Sequence, residues 1–530
     1  MFLIQKGIAM PNTLLSVENL SIFTNSQKIV KNISFNIQVG EIFALVGESG
    51  SGKSLTALSI VDLLAKNLKK SGKITYQQSD LSHCQKIQNF RGAEIAFIFQ
   101  DPTNSLNPIM TIGQQIDEML LLHTQLGKKQ RKSRIFELFR QVELEDSEAM
   151  ISRYPHQISG GQKQRVMIAC ALAGGAKLLI ADEPTTALDV TTQKQVLELL
   201  QNLRKTQNLS ILLITHDLSV VKLISDRVGV MHQGQLIEMQ KKHDFFTNPI
   251  EQYSQELLVK LPSIARDQKL GDLLLQGRDL KVYFPIKSGF FRRTTGYIKA
   301  LDQLDFDLKQ AQNLAIVGES GSGKTTLAKA IMRQLTLFDG VIRFTTPNHT
   351  LQDINAFKRQ SFAKKVQIVF QNVSSSFNPR MRISQTLLEA LQALNPHKAN
   401  LQHIATLLQE VELDSALMHR YPHELSGGQL QRLSIARAIS VDPEVIICDE
   451  PTSALDATVK VQILDLLLRL QQEKGVSYIV ITHDISIVDY FADTVIVMKQ
   501  GRVVEQGGAQ EILSNPKDNY TKALLSSVLA

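Results

Sequence analysis

Apolar and polar positions follow one succession of patterns along the chain, and the succession occurs twice. LLSVENLSIF and ISFNIQVGEIFALVG begin it with period-two alternation, which predicts half-buried strands. A glycine-rich loop, an amphipathic stretch and a short strand EIAFIFQ follow, then a helical middle from about Ile112 to Ser152. Two short, uninterrupted apolar runs, KLLIADEP and ILLITHD, close the pattern. The second pass reads NLAIVG, KVQIVFQ, a helical middle from about Ile383 to His419, then EVIICDEP and YIVITHD. Continuous apolar runs of this length suit strands covered on both faces, so a soluble β/α core with parallel strands is expected in each half.

The offsets between equivalent residues make this a tandem duplication. Lys53 and Lys324 are 271 positions apart, as are Gln100 and Gln371. Ser159 and Ser426, Glu183 and Glu450, and His216 and His483 are all 267 apart, so the second half has lost four residues in between. The tails repeat as well, NPIEQYSQELL from Asn248 against NPKDNYTKALL from Asn515. Length alone predicts about three or four domains, and the repeat organises them as residues 12–261, a linker at 262–275, and residues 276–530. The polar stretch PSIARDQKLGD, with Pro and Gly near its ends, supplies that linker.

Composition narrows the class. Hydrophobic residues at 43% and charged residues at 21% are ordinary for a globular protein and exclude wholesale disorder. The net charge of +7 is spread along the chain without a basic block, so it reads as a solvated surface and gives no sign of a nucleic-acid partner. Cys84, Cys170 and Cys448 lie far apart, which disfavours zinc or iron–sulfur sites and fits a reducing compartment. No apolar run approaches the 18 residues of a membrane span. MFLIQKGIAM is too weakly apolar for a signal peptide, so any membrane association is expected on the cytoplasmic side.

Chemistry concentrates at strand ends. GESGSGKS, Gly47 to Ser54, and GESGSGKT, Gly318 to Thr325, each fit a phosphate-binding loop between a strand and a helix. Gly47, Gly50 and Gly52, with Gly318, Gly321 and Gly323, let consecutive N–H groups wrap an anion, and Ser49 and Ser320 lie within the same wraps. A helix N-terminus adds partial positive charge and Lys53 or Lys324 a full one, so a nucleoside triphosphate is the expected guest. Asp182–Glu183 and Asp449–Glu450 end apolar runs, where adjacent acids require a cation. Mg²⁺ would meet Asp182 or Asp449 through water, with Ser54 or Thr325 as hydroxyl ligand, and Glu183 or Glu450 would take a proton from the attacking water. Finally, YPHQISGGQKQR and YPHELSGGQLQR place Ser159 and Gly161, and Ser426 and Gly428, at helix starts, which makes a second anion-binding device.

The set of phosphate loop, strand-end glutamine, SGGQ, apolar-DE, A-L-D and T-H-D resembles the ATP-binding cassette family, and does so twice over nearly the whole chain. The resemblance implies the α/β P-loop fold class: two cassettes, each with a RecA-like core, an antiparallel β subdomain and a helical subdomain. It implies that the cassettes pair head to tail within the chain and sandwich ATP. Site one would join Lys53, Ser54, Gln100, Asp182, Glu183 and His216 to Ser426 and Gly428. Site two would join Lys324, Thr325, Gln371, Asp449, Glu450 and His483 to Ser159 and Gly161. By the same analogy His216 and His483 meet the γ-phosphate, Gln100 and Gln371 meet Mg²⁺, and Asp189 and Asp456 link the halves. The adenine-stacking aromatic corresponds to Phe284, whereas half one has Thr24, with Phe23 one position earlier.

FIFQDPTNSLNP, FQNVSSSFNP, the YPH before each signature and the N-P-x-x-x-Y tails are similar to the ATPase subunits of bacterial dipeptide and oligopeptide importers, among them the fused ATPase of microcin C importers. That branch implies two integral membrane permease subunits, an external substrate-binding protein, and a peripheral place on the cytoplasmic face of the inner membrane. Nickel and glutathione are alternative substrates within the branch. A soluble tandem cassette acting on ribosomes or DNA is the alternative outside it, and the chain lacks the basic linker, zinc fingers or coiled coil of that class.

Overall fold

The structure, a computed structural model, describes residues 12–48, 50–81, 87–185, 188, 190–258, 270–288, 293–319, 321–452, 455 and 457–528. Its described residues divide into two compact units, unit 1 up to residue 258 and unit 2 from residue 270. The strand Leu273–Ser288 begins inside the stretch assigned to the linker, because LLLQ already alternates in register with its neighbour Arg293–Lys309.

In unit 1 a six-stranded sheet runs Gln235–Lys241, Arg227–His232, Ile42–Val46, Ser210–Ile214, Leu178–Asp182, Ile95–Ile98. All neighbours are parallel except the first pair, an antiparallel hairpin. The strands Ile42–Val46, Leu178–Asp182 and Ser210–Ile214 are buried at every position, as their unbroken apolar runs require. Each fully buried aliphatic side chain contributes roughly 1.5–3 kcal/mol, so these short strands anchor the core. Over this sheet lies a four-stranded antiparallel sheet, Lys28–Gln38, Thr13–Phe23, Lys69–Tyr76 and Ser79–Asp80, and Phe35 and Phe43 stack between the two layers at 5.4 Å.

Unit 2 repeats the plan with Arg502–Gly508, Thr494–Lys499, Asn313–Val317, Ser477–Ile481, Val445–Asp449 and Val366–Val369. Its antiparallel sheet has longer leading strands, 16 and 17 residues against 11 and 11 in unit 1. Phe284 sits on this extension, 40% exposed and opposite Ile298, while Phe23 ends its shorter counterpart half-buried.

The expected helical middles form helices Ile112–His123, Lys128–Gln141 and Ser147–Met150 in unit 1, and Ile383–Leu394 and Leu401–Glu410 in unit 2. Thr111 starts the first with a capping box to Gln114, satisfying N–H groups that a helix end leaves open. Here the halves diverge. In unit 2 the Arg437 guanidinium lies 4.6 Å from the Phe377 ring and donates to the Ser376 carbonyl at 2.9 Å. The corresponding residue of unit 1 is Cys170, and a cavity of about 360 Å³ opens there, lined by Cys170, Met167, Leu106, Phe99 and Met119 among others. Among the described residues no helix is long and apolar enough to cross a membrane.

Candidate nucleotide-hydrolysing sites

Each phosphate loop leaves the central strand of its sheet and enters a helix, Lys53–Ile60 or Lys324–Ile331. Glycine is required where the loop touches the neighbouring strand. A Cβ on Gly47 would stand 2.0 Å from the Met231 carbonyl oxygen, and on Gly318 2.2 Å from that of Met498. At the helix entrances Gly52 and Gly323 have φ of 101° and 104°, a left-handed conformation that other residues adopt only at a cost. The lysines fill the wraps. Lys53 Nζ donates to the Gly47 and Glu48 carbonyls at 2.7 Å each, and Lys324 Nζ does the same to Gly318 and Glu319. Ser49 and Ser320 lie outside the described residues.

Beside each loop, at the carboxyl edge of the sheet, stand the acids. Ser54 Oγ donates to Asp182 Oδ1 at 3.1 Å, and the Thr325 hydroxyl bonds to Asp449. Burial pushes the Asp182 carboxyl up to about 6, with the Glu183 charge adding to the rise and the Ser54 bond and Lys53 opposing it. Burial raises Asp449 in the same direction. Glu183 and Glu450 follow their strands at φ of 48° and 49°, in the left-handed region. A non-glycine residue in this region carries strain of order 1–3 kcal/mol, a pattern that clusters at functional sites.

The turn brings each glutamate between two partners. Gln100 Nε2 donates to Glu183 Oε2 at 2.6 Å, and His216 Nδ1 lies 2.9 Å from Glu183 Oε1. The second copy has Gln371 to Glu450 at 2.6 Å and His483 to Glu450 at 3.1 Å. Burial lowers each histidine's affinity for a proton, yet the hydrogen bond and charge of the glutamate outweigh it and leave both pKa values raised. Burial works against ionisation of Glu450 too, but His483 overrides it and the net direction is down. The structure thus gathers loop lysine, loop hydroxyl, both acids, glutamine and histidine within each half.

The signature residues stand apart on helix starts. Ser159 Oγ accepts from Gln162 N–H at 3.2 Å, and Gln162 Oε1 accepts from Ser159 N–H at 3.0 Å; Ser426 and Gln429 form the same capping box. Sequence reasoning assigned Gln162 and Gln429 no role, although S-x-x-Q is a capping-box pattern. Gly161 and Gly428 admit the long following helices, since a Cβ would meet Thr192 Cγ2 at 2.4 Å or Val459 Cγ1 at 2.8 Å. Ser159 and Ser426 are exposed, open to an external ligand. Asp189 and Asp456 lie outside the described residues.

The oxygen-only donor set, a loop hydroxyl against a buried carboxylate held above its usual range, fits a hard divalent cation such as Mg²⁺.

A family model for ABC transporters matches residues 30–186 and 301–453, and one for the oligopeptide/dipeptide transporter C-terminal region matches residues 504–530. The chain is 43% identical to the peptidoglycan transport ATP-binding protein YejF of Agrobacterium fabrum, with 97% of this chain and 96% of that protein covered. It is 39% identical to the glutathione import ATP-binding protein GsiA of Escherichia coli K12, with 97% and 89% covered. Among solved structures it is similar to the dimeric MJ0796, a bacterial ABC transporter cassette, at 28% identity and a TM-score of 0.39, covering 43% of this chain and 99% of that one. With two copies of the phosphate loop, acid pair, glutamine and histidine in one chain, this protein belongs to the ABC transporter family, as a tandem ATP-binding subunit that hydrolyses ATP to drive transport.

Proposed function

We propose that the chain energises an importer of short peptides or peptide-like molecules through two composite ATP sites. The observation that carries the hydrolytic part is the repeated bracket of a glutamate between glutamine and histidine beside a phosphate loop. The peptide class is supported by the match of residues 504–530 and by relatives named for peptidoglycan and glutathione transport, both of which contain peptide. Two permease subunits and a substrate-binding protein complete the system, with this chain peripheral on the cytoplasmic face of the inner membrane.

Lys53 and Lys324 neutralise phosphate charge inside the wraps, and the loop N–H groups orient the triphosphate. Ser54 with Asp182, and Thr325 with Asp449, would hold Mg²⁺, with Gln100 and Gln371 as further oxygen donors. When bound, the ion offsets phosphate charge. Glu183 and Glu450 accept the proton of the attacking water, and His216 and His483, bonded to the same carboxylates, fix their orientation and face the γ-phosphate. Ser159, Gly161, Ser426 and Gly428 contribute N–H groups and a hydroxyl to the ATP of the opposite half, and Phe284 offers a face to adenine in site two. ATP stabilises the closed pair by RT ln(1 + [L]/Kd), roughly 2.7 kcal/mol per site at 100 times Kd, and hydrolysis removes that bias. Uptake of labelled di- and tripeptides in a deletion strain tests the proposal. Loss of uptake, restored by this chain and not by a Glu183→Gln/Glu450→Gln variant, is expected; unchanged peptide uptake in the deletion strain contradicts it.

A further inference from the structure

The tail motif N-P-x-x-x-Y has no part in the chemistry above, yet its tyrosine reaches the phosphate loop in both halves. Tyr253 Oη accepts a hydrogen bond from the Glu48 N–H at 3.0 Å, and Tyr520 Oη accepts from the Glu319 N–H at 2.9 Å. Glu48 and Glu319 are the second residues of the two loops, next to the glycines wedged against Met231 and Met498. Each tyrosine ring is braced by the strand that receives that wedge: His232 packs against Tyr253 at 4.1 Å, and Lys499 Nζ lies 4.7 Å over Tyr520.

The tyrosines are seated by a second repeated contact. Glu238 accepts from the Ile250 and Glu251 N–H groups at 2.9 and 3.1 Å, and Glu505 accepts from Lys517 and Asp518 at 2.8 and 3.1 Å. These bonds fix the turn between the short helix that follows the hairpin strand, Lys242–Thr247 or Ala509–Ser514, and the tail helix, just before the tyrosine. A continuous path therefore runs from hairpin carboxylate to tail turn, tyrosine hydroxyl and loop backbone. Its geometry is reproduced in two halves whose bracing residues differ, His in one and Lys in the other.

We infer that Tyr253 and Tyr520 are positioning residues for ATP binding: each holds the entrance of its phosphate loop in the anion-binding conformation, and so makes ATP affinity depend on the seating of the tail. The inference rests on the phosphate loops being the ATP sites. Without the hydroxyl, the Glu48 or Glu319 N–H loses its bond to the tyrosine and the loop populates other conformers. Apparent affinity then falls by the fraction still competent, while the bound state and its chemistry stay the same.

The test is steady-state ATP hydrolysis by the full chain carrying Tyr253→Phe and Tyr520→Phe, which keep the rings and remove the hydroxyls. The KM for ATP is expected to rise about tenfold, the scale of one lost hydrogen bond, with kcat within about twofold. Glu238→Gln with Glu505→Gln, which loosens the seat without touching the loop, is expected to raise KM in the same direction. A tyrosine that only packs its tail would lower the melting temperature and leave KM within twofold of wild type, and that result overturns the inference. Wild-type chain assayed alongside separates the two failures, because absent wild-type hydrolysis would count against the ATP sites themselves.

Discussion

At the scale of single residues, the function turns on Glu183 and Glu450. Each is bracketed by glutamine and histidine, and each is held in a left-handed conformation. Glu183→Gln and Glu450→Gln preserve shape but remove the proton acceptor. The double variant should lose roughly 10²–10⁴-fold in kcat while binding ATP as wild type, measured by phosphate release and by nucleotide titration. Gly47→Ala or Gly318→Ala should behave oppositely. The added Cβ meets a backbone carbonyl that cannot swing away, so nucleotide binding should fail and the melting temperature should fall. The lysines and acids were legible in the sequence because each chemistry needs one residue type at one spacing from a strand end, whereas the histidines came only from the resemblance. The backbone turn at the glutamates was not legible, since nothing in D-E-P announces a positive φ. Nor was the tyrosine contact, which joins residues 205 positions apart in unit 1.

At the scale of elements, apolar runs and period-two alternation located the sheets, because strands buried on both faces leave little freedom in residue choice. The length of the second hairpin and the divergence at Cys170 and Arg437 were less accessible, as they depend on what packs against a helix from another part of the chain. Arg437 is pressed between the Phe377 ring and the Ser376 carbonyl, and burial lowers its pKa. Arg437→Ala should destabilise unit 2 by roughly 1.5–3 kcal/mol, the range for hydrogen bonds to a charged group. Cys170→Ala, beside an existing cavity, should cost less than about 1 kcal/mol. Urea unfolding of the two variants checks the difference. A second element-level device is Asp302, whose carboxyl is held at about 2 by hydrogen bonds from Tyr283 and Arg502 that outweigh its burial. A folded pKa below the unfolded value of about 3.9 contributes stability that is present above pH ~4 and is lost as pH falls through about 2. Asp302→Asn should therefore lower the urea midpoint near pH 6 and converge on wild type near pH 2.

At the scale of the whole molecule, the duplication places a loop lysine, a loop hydroxyl, two acids, a glutamine and a histidine in each unit. The signature serines stand exposed at helix starts, and the proposal assigns each to the ATP of the opposite unit. The eleven residues PSIARDQKLGD, expected from the sequence to be a linker, can span at most ~40 Å at ~3.3–3.6 Å per residue, and a tether of that length would keep the units at high effective concentration. Pairing within the chain is an expectation that comes only from the resemblance, because no single residue encodes which half completes which site.

The central claim is that each ATP is shared, Lys53 with Ser426 and Lys324 with Ser159. Counting ATP molecules occluded per chain in a Glu183→Gln/Glu450→Gln background tests it most directly. Adding Lys53→Ala with Ser426→Arg damages one shared site twice and should leave one ATP per chain; adding Lys53→Ala with Ser159→Arg damages both sites and should leave none. The reverse result, one ATP with Lys53→Ala/Ser159→Arg and none with Lys53→Ala/Ser426→Arg, would show that each half completes its own site and would contradict the account.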